Sequence, residues 1–293
     1  MQTRTIADHT VSAIGLGGMP MSVEGRPDRE RAIATLHASL DAGVTFIDTA
    51  DAYQLDDSAQ EAGHNEVLIA EALASWGAPT DSVLVATKGG HTRTEGGGWG
   101  LDGRPEHLRE ACEASLRRLG VESIGLYQFH RPDPSVPYAE SVGAIAELLD
   151  AGKIQRAGIS NADPAQIREA NEILGGRLVS VQNQYSPAFT SSRAELDLCA
   201  ELGIAFLPWS PLGGIAKAGE VGQTFGAFAE VAEQHGVSPQ QVVLARMLAT
   251  APVVVPIPGA SRPETARDSA AAADLVLSAD EMARLDAAAG LGS

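Results

Sequence analysis

The sequence has few cysteines and no long hydrophobic run. Cys112 and Cys199 are the 2 cysteines among 293 residues, which does not support a disulfide framework. No apolar stretch approaches the roughly 20 residues that a membrane-spanning helix needs. The first eight residues, MQTRTIAD, also lack the apolar region of a signal peptide. These absences predict a reduced, cytoplasmic protein that has no membrane partner.

Basic and aromatic residues are also scarce. The chain has 21 Lys and Arg against 38 Asp and Glu, so its formal net charge is −17. This charge argues against nucleic acid as a partner, because phosphate backbones are bound by basic surfaces. An anionic ligand would need local donors, such as backbone N–H groups, a helix N-terminus or one or two basic side chains. An aromatic content of 4% argues against a large aromatic cage.

Short apolar runs alternate with amphipathic segments along the whole chain. This alternation predicts an α/β fold with a parallel sheet covered by helices. Eight strands suit a closed (β/α)8 TIM barrel, predicted as a single domain over residues 1–293 with its active site at the C-terminal ends of the strands. An open doubly wound sheet is the alternative. The predicted strands begin in 12–19 and continue at 45–48, 83–88, 124–129, 154–159, 178–183, 204–208 and 253–257. The predicted helices span 28–42, 61–76, 104–119, 138–151, 163–174, 193–202, 224–235, 238–249, 263–273 and 278–289.

Glycines end the first predicted strand, in the run SAIGLGGM over residues 12–19. They do not form the dinucleotide fingerprint G-x-G-x-x-G, because Met19, Pro20 and Met21 stand where its last glycine and helix would be. The expected use of these glycines is a close approach between backbones at the mouth of the strand. The longest loops, 54–59, 89–103 and 211–222, all follow strands and are expected to build the active-site face.

Three successive strands each deliver titratable groups at their C-terminal ends. Asp48 and Tyr53 follow the second strand, Lys88 ends the third and His130 follows the fourth. A nearby ammonium favours a tyrosine's phenolate and lowers the pKa of that tyrosine, and a carboxylate holds the ammonium charged. A histidine beside the tyrosine can polarise a carbonyl oxygen. The set therefore suits reversible carbonyl–alcohol chemistry.

Other interpretations of these residues stay open at this point. Asp48 could cap a turn, Lys88 could be a solvated strand end and His130 could be a core histidine. A different barrel enzyme, an isomerase or lyase, could use Lys88 as a Schiff base.

The second half of the chain has features that suit a hydride-donating cofactor, which carbonyl reduction requires. Ser160 and Asn161 could hold a carboxamide, and Trp209 could stack on a flat ring. The glycine-rich turn after Trp209, assisted by Lys217, could bring backbone N–H groups to a diphosphate. Ser261 and Arg262, just before a helix, suit a further phosphate.

The motifs FIDTA (46–50), GISN (158–161), WSPLG (209–213) and IPGA (257–260) together resemble the aldo-keto reductase family. The resemblance covers nearly the whole chain and implies a (β/α)8 barrel that binds NADP(H). By this resemblance the catalytic residues would be Asp48, Tyr53, Lys88 and His130, with Tyr53 as the proton donor. It implies cofactor contacts at Gly18, Met19, Asp48, Ser160, Asn161, Gln182, Trp209, Ser210, Pro211, Leu212, Gly214, Lys217, Gly259, Ala260, Ser261, Arg262 and Asp268, and no metal.

Two departures from the family pattern concern the adenosine end of the cofactor. Asp268 and Ser269 stand where the family often has Glu and Asn, and Thr265 replaces a second arginine found in many members. Arg262 is then the main contact expected for a 2′-phosphate. NADP(H) is predicted, with NAD(H) less favoured.

The resemblance implies NADP(H)-dependent reduction of an aldehyde or ketone, with a small-molecule carbonyl substrate. The alternative is a cofactor-binding regulatory subunit of the same fold with little turnover. The loop containing His91, Trp99 and Leu101 is expected to wall the substrate pocket, and Tyr127, Phe189 and Trp209 are expected to make that pocket apolar. The substrate and the oligomeric state cannot be read from the sequence; a monomer is the default expectation.

Overall fold

The computed structural model describes residues 1–291, so the last two residues of the predicted domain lie outside the described part. The strands are, in chain order, β1 (Thr3–Ile6), β2 (His9–Ser12), β3 (Leu16–Gly17), β4 (Phe46–Asp48), β5 (Leu84–Gly89), β6 (His91–Arg93), β7 (Trp99–Leu101), β8 (Leu126–Phe129), β9 (Ala157–Ser160), β10 (Leu178–Gln182) and β11 (Ala205–Phe206). The helices are α1 (Arg29–Asp41), α2 (His64–Ser75), α3 (Pro105–Leu119), α4 (Tyr138–Asp150), α5 (Pro164–Ile173), α6 (Arg193–Leu202), α7 (Val221–Thr224), α8 (Gly226–His235), α9 (Pro239–Thr250), α10 (Pro263–Ala271) and α11 (Ala279–Ala288).

Seven parallel strands form one curled sheet in the order β11-β10-β9-β8-β5-β4-β3. Residues 253–259 close this sheet into a barrel, with backbone hydrogen bonds on both sides. On one side Val255 N donates to Phe206 O at 2.9 Å; on the other, Gly17 N donates to Pro258 O at 2.9 Å. The (β/α)8 barrel is therefore confirmed, and the open sheet is excluded.

The eighth segment bonds its two neighbours unequally. Pro256 and Pro258 carry no N–H, so on the β3 side they can only accept, from Gly15 and Gly17. This explains why the predicted strand at 253–257 forms isolated bridges rather than a regular ladder. A Cβ at Gly17 would lie 2.9 Å from Ile257 O, which confirms the close backbone approach predicted for the glycine run.

The hairpin of β1 and β2, which the sequence patterns did not predict, packs against the end of the barrel where the N-terminal ends of the strands lie. Ile6 and Val11 are buried together with the inward-facing residues of the strands, such as Phe46 and Leu126. The larger part of the core lies between the strands and the surrounding helices. Because this hairpin lies away from the C-terminal strand ends, those ends remain free to carry a site.

Caps set several helix boundaries close to the predicted ones. Asp28, Asp163 and Ser238 each accept a hydrogen bond from a backbone N–H of the first turn, and the N-cap of α5 is a full capping box with Gln166. The helix predicted over 224–235 begins only at Gly226, because Phe225 has a non-helical backbone between α7 and α8. No helix in the described chain combines the length and apolar character needed to cross a bilayer.

Candidate active site

Lys88 is the centre of a buried hydrogen-bond network at the C-terminal ends of β4 and β5. Its Nζ donates to Asp48 Oδ2 at 2.7 Å, to Thr49 O at 2.8 Å and to Tyr53 Oη at 3.0 Å. The Lys88 side chain is fully buried. All three ammonium hydrogens are thus engaged, and a Schiff-base role for Lys88 has no free amine to use. This geometry contradicts the isomerase or lyase alternative.

The loop that carries Tyr53 is fixed to β5 by its backbone. Thr49 N donates to Ala86 O at 2.8 Å and Asp51 N donates to Lys88 O at 3.2 Å. These bonds continue the strand pairing past Asp48, so the chain turns close to Lys88. Tyr53 is thereby held beside the ammonium, five residues after Asp48 as the sequence motif indicates.

Asp48 receives hydrogen bonds from both sides of the barrel interior. Its second oxygen, Oδ1, accepts from Gln182 Nε2 at 2.7 Å and from Gln128 Nε2 at 3.4 Å. A buried carboxylate is tolerated when its oxygens are bonded and its charge is paired. The ammonium and the two amides meet both conditions. Gln128 is a member of the site that the sequence analysis missed.

The electrostatics of the pair Tyr53 and Lys88 differ from the simple expectation. Burial lowers the pKa of Lys88, but Asp48 and Tyr53 raise it by more, so the pKa lies above its ordinary value. Burial raises the pKa of Tyr53 above its ordinary value despite the opposing effect of Lys88. The expectation of a net lowered tyrosine pKa is wrong, because desolvation outweighs the ammonium. Tyr53 is therefore a protonated phenol at neutral pH.

His130 lies edge-on to Tyr53, with ring centroids 5.7 Å apart. Burial, together with the positive charges of Lys88 and Arg131 and the neighbouring His91, holds the pKa of His130 well below its usual range. Its Nδ1 is buried and has no hydrogen-bond partner within residues 1–291. The imidazole is therefore neutral and is positioned by packing rather than by a hydrogen bond.

A cleft of about 670 Å³ runs from these side chains to the first turn of α10. Small-molecule sites commonly have volumes of about 300–1,000 Å³. Three catalytic candidates, Asp48, Tyr53 and His130, line the cleft, and Lys88 lies directly beneath it. Most predicted cofactor contacts also line it: Met19, Ser160, Asn161, Gln182, Trp209, Ser210, Pro211, Leu212, Gly214, Gly259, Ala260, Ser261 and Arg262.

Two lining residues have a left-handed backbone that a non-glycine side chain rarely adopts. Asn161 has φ 59° and Ser210 has φ 48°. Asn161 is held by donating to His130 O at 3.0 Å and by accepting from Trp209 Nε1 at 3.2 Å. Strained backbone of this kind clusters at functional sites, and here it lies on the cleft wall.

The far end of the cleft can accept an anion. Arg262 is the N-cap of α10, whose first turn is not capped by a side chain. The backbone N–H groups of this first turn and the partial positive charge of the helix N-terminus favour a negatively charged group at this end of the cleft. Ser261 and Thr265 line the cleft at the same place.

The structure does not bring three of the predicted cofactor contacts to the cleft. Asp268 accepts from Ser238 Oγ at 2.7 Å and Gln241 Nε2 at 2.6 Å, so both its oxygens serve the start of α9. Lys217 is exposed, and Gly18 is buried with its carbonyl accepting from Asn65 Nδ2 at 2.9 Å; neither is part of the cleft lining.

The substrate wall also differs in part from expectation. His91 and Trp99 line the cleft, but Leu101 does not. Tyr127 is fully buried on the helix side of β8, where its hydroxyl donates to Leu108 O at 3.4 Å. Phe189 also lies away from the cleft lining. The predicted loop 89–103 is an ordered hairpin of β6 and β7.

Comparison with known proteins agrees with this geometry. The model of the Aldo/keto reductase family matches residues 13–289. The chain is 35% identical over 290 residues to "Uncharacterized oxidoreductase C215.11c" of Schizosaccharomyces pombe, which covers 97% of this chain and 89% of that protein.

Two solved structures share the fold at 27% identity. One is a thermostable aldo-keto reductase, Tm1743, in complex with the inhibitor epalrestat, with a TM-score of 0.82 over 98% of this chain and 100% of that chain. The other is an aldo/keto reductase from Klebsiella pneumoniae in complex with NADP and acetate, with a TM-score of 0.78 over 95% of this chain and 91% of that one. Barrel, buried tetrad and family match together lead to one conclusion: the chain is an oxidoreductase that belongs to the aldo/keto reductase family.

Proposed function

We propose that this protein catalyses the NADP(H)-dependent, reversible reduction of an aldehyde or ketone to an alcohol. The observation that carries the proposal is the hydrogen bond from Lys88 Nζ to Tyr53 Oη, 3.0 Å long, at the floor of an open cleft. A protonated phenol beside a buried ammonium can give up its proton to a carbonyl oxygen and leave a stabilised phenolate.

Each member of the tetrad has a task in this proposal. Tyr53 donates the proton, and Lys88 stabilises the phenolate that forms. Asp48 keeps Lys88 charged and aimed at Tyr53, since the carboxylate lies 2.7 Å from Nζ. His130, neutral and next to the Tyr53 ring, is available to orient the carbonyl oxygen.

The residues along the cleft fit a nicotinamide dinucleotide. When such a cofactor is bound in its reduced form, the chemistry it supplies is hydride donation. Ser160, Asn161 and Gln182 would hold its carboxamide, Trp209 would stack on its flat ring, and Arg262 would hold its 2′-phosphate. The Klebsiella pneumoniae relative was solved in complex with NADP, which supports the choice of cofactor.

Fluorescence titration with NADPH and NADH tests the cofactor proposal. We expect Arg262→Ala to weaken NADPH binding by about tenfold to a hundredfold, the value of a hydrogen bond to a charged group, and to leave NADH binding nearly unchanged. Arg267→Ala, which removes the same charge from α10 outside the cleft lining, is the matched control and should bind both nucleotides as the wild type does. If neither nucleotide binds with a Kd below about 1 mM, which corresponds to a binding free energy of about −4 kcal/mol, the reductase proposal is refuted.

Turnover with Tyr53→Phe tests the proton donor. Loss of a general acid should lower the rate of carbonyl reduction by about 100-fold to 10,000-fold while NADPH binding stays intact. Tyr138→Phe is the control, because that hydroxyl is buried without a partner among residues 1–291 and lies outside the cleft lining. A slow wild-type rate that Tyr53→Phe does not change would instead favour the regulatory-subunit alternative.

A further inference from the structure

Arg131 is a partly buried cation at the catalytic end of the cleft that the proposed chemistry does not use. It follows His130 directly in the chain and lines the cleft. Its Nε donates to His91 Nε2 at 3.3 Å. Its two terminal nitrogens make no hydrogen bond or ion pair within the described part of the chain. The half of the guanidinium that could bind a ligand is therefore free.

The guanidinium is held in place by the hairpin of β6 and β7. His91 Nδ1 lies 3.2 Å from Gly100 O, so that N–H donates to the carbonyl and leaves Nε2 as an acceptor for Arg131. On the other side of the hairpin, the Arg93 guanidinium lies 4.1 Å from the centre of the Trp99 ring. Arg131 is thus aimed by an ordered partner and does not need to be ordered by a substrate.

Arg131 has no counterion among the described residues that line the cleft. Among the lining residues described, the one carboxylate is Asp48, whose oxygens are engaged by Lys88 and Gln182. Burial and the charge of Arg131 lower the pKa of His91 to about 4, so that ring is neutral. Burying a cation without a counterion is costly. In a chain of net charge −17, an uncompensated cation in a cleft indicates a site for an anion.

We propose that Arg131 binds a carboxylate of the substrate, so that the enzyme acts on carbonyl compounds that carry an acid group, such as oxo acids and aldehyde acids. This inference rests on the proposed reductase function. The free edge of one guanidinium matches the two oxygens of a carboxylate. A phosphate dianion would need further charged donors, and both neighbouring histidines are neutral. Arg262 lies at the opposite end of the cleft, by α10, and is the candidate for the cofactor phosphate.

The test compares substrates that differ in charge and little in shape. 4-Carboxybenzaldehyde and 4-nitrobenzaldehyde form an aromatic pair, and 4-oxobutanoate and its methyl ester form a flexible pair. For each pair, the ratio of kcat/KM for the acid to kcat/KM for the neutral compound is measured with NADPH. The proteins are the wild type, Arg131→Leu, Arg131→Lys and the control Arg104→Gln. Arg104 is an exposed arginine at the start of α3, where it pairs with Asp102, and it lies outside the cleft lining.

We expect Arg131→Leu to lower this ratio by about tenfold or more, through a higher KM for the acid, with the neutral compounds little affected. Arg131→Lys should restore part of the ratio, because a lysine keeps the charge and loses the planar fork. Arg104→Gln should leave the ratio unchanged. If the wild type reduces the neutral aldehydes and Arg131→Leu has the same acid-to-neutral ratio as the wild type, this inference is overturned and the proposed function stands. Failure of the wild type to reduce any of the four compounds would overturn the proposed function and this inference with it.

Discussion

Arg118 neutralises a deeply buried carboxylate outside the candidate catalytic tetrad. Glu66, in α2, is completely buried and accepts from Arg118 Nε and from Thr87 Oγ1, each at 2.5 Å. Arg118 reaches it from α3 by passing over Gly63, where a Cβ would collide with the guanidinium. About one fifth of the Arg118 side chain is exposed, so water reaches the arginine but not the carboxylate.

Arg118→Met should therefore lower the free energy of unfolding strongly. Methionine fills similar space, but Glu66 loses its counterion and keeps only the hydroxyl of Thr87. Breaking a buried pair by removing one partner costs about 3–5 kcal/mol. Glu66→Gln leaves a cation that water can reach, and should cost less, about 1–3 kcal/mol. The double variant should cost less than the sum of the single changes by at least about 1 kcal/mol, because it removes both charges.

Equilibrium unfolding in urea, followed by circular dichroism and by tryptophan fluorescence, measures these changes. The two transitions must coincide for the free energies to be comparable. Arg117→Met is a matched control, because it removes the neighbouring arginine in α3, which makes no ion pair within residues 1–291. A cost below about 1 kcal/mol for Arg118→Met, or costs that simply add, would refute the reasoning that this pair neutralises a buried charge.

Three further predictions concern the cleft and the helices. Gln182→Met removes the 2.7 Å donor to Asp48 Oδ1 and should lower kcat of carbonyl reduction by about tenfold or more, whereas Gln184→Met, outside the cleft lining, should not. Because the pKa of His91 falls from 6.5 to about 4 on folding, the unfolded chain binds the extra proton between these pH values. Stability should then fall as the pH drops from about 6.5 to about 4, by at most about 3 kcal/mol; urea midpoints at pH 7 and pH 5 should differ less in His91→Gln than in the wild type. Asp163→Ala removes the capping box of α5 and should cost about 1 kcal/mol in the same assay, with the exposed Glu172→Ala near its end as a control.

The tetrad and the barrel could be predicted because both depend on strand ends. Apolar runs show where strands stop, and parallel strands bring their C-terminal ends to one face. Asp48, Tyr53, Lys88 and His130 each follow or end such a run. Helix boundaries were close for the same kind of local reason, since capping residues such as Asp163 mark them in the sequence.

What could not be predicted depends on contacts between distant elements. The sequence does not show that Asp268 points towards α9, or that Tyr127 faces the helices instead of the barrel interior. The contact of Arg131 with His91 joins the ends of two different strands, and no spacing rule connects them. The predicted direction of the pKa shift of Tyr53 was wrong, because burial raises this pKa by more than the neighbouring ammonium lowers it, and the sequence does not show how deeply the side chain is buried.

The one-sided bonding of Pro256 and Pro258 makes the junction between β3 and the eighth segment a weakly bonded line along the barrel wall. Gly17 and Gly259 lie near opposite ends of the chain, so this ring closure spans the longest loop and is expected to form late in folding. Native-state hydrogen exchange should then show the amides of Gly15 and Gly17 opening before those of β8 and β9. The cleft crosses this line, with Met19 on one side and Arg262 on the other. A ligand that contacts both residues fastens the two ends of the chain together, so occupancy of the cleft should also slow the opening of the barrel.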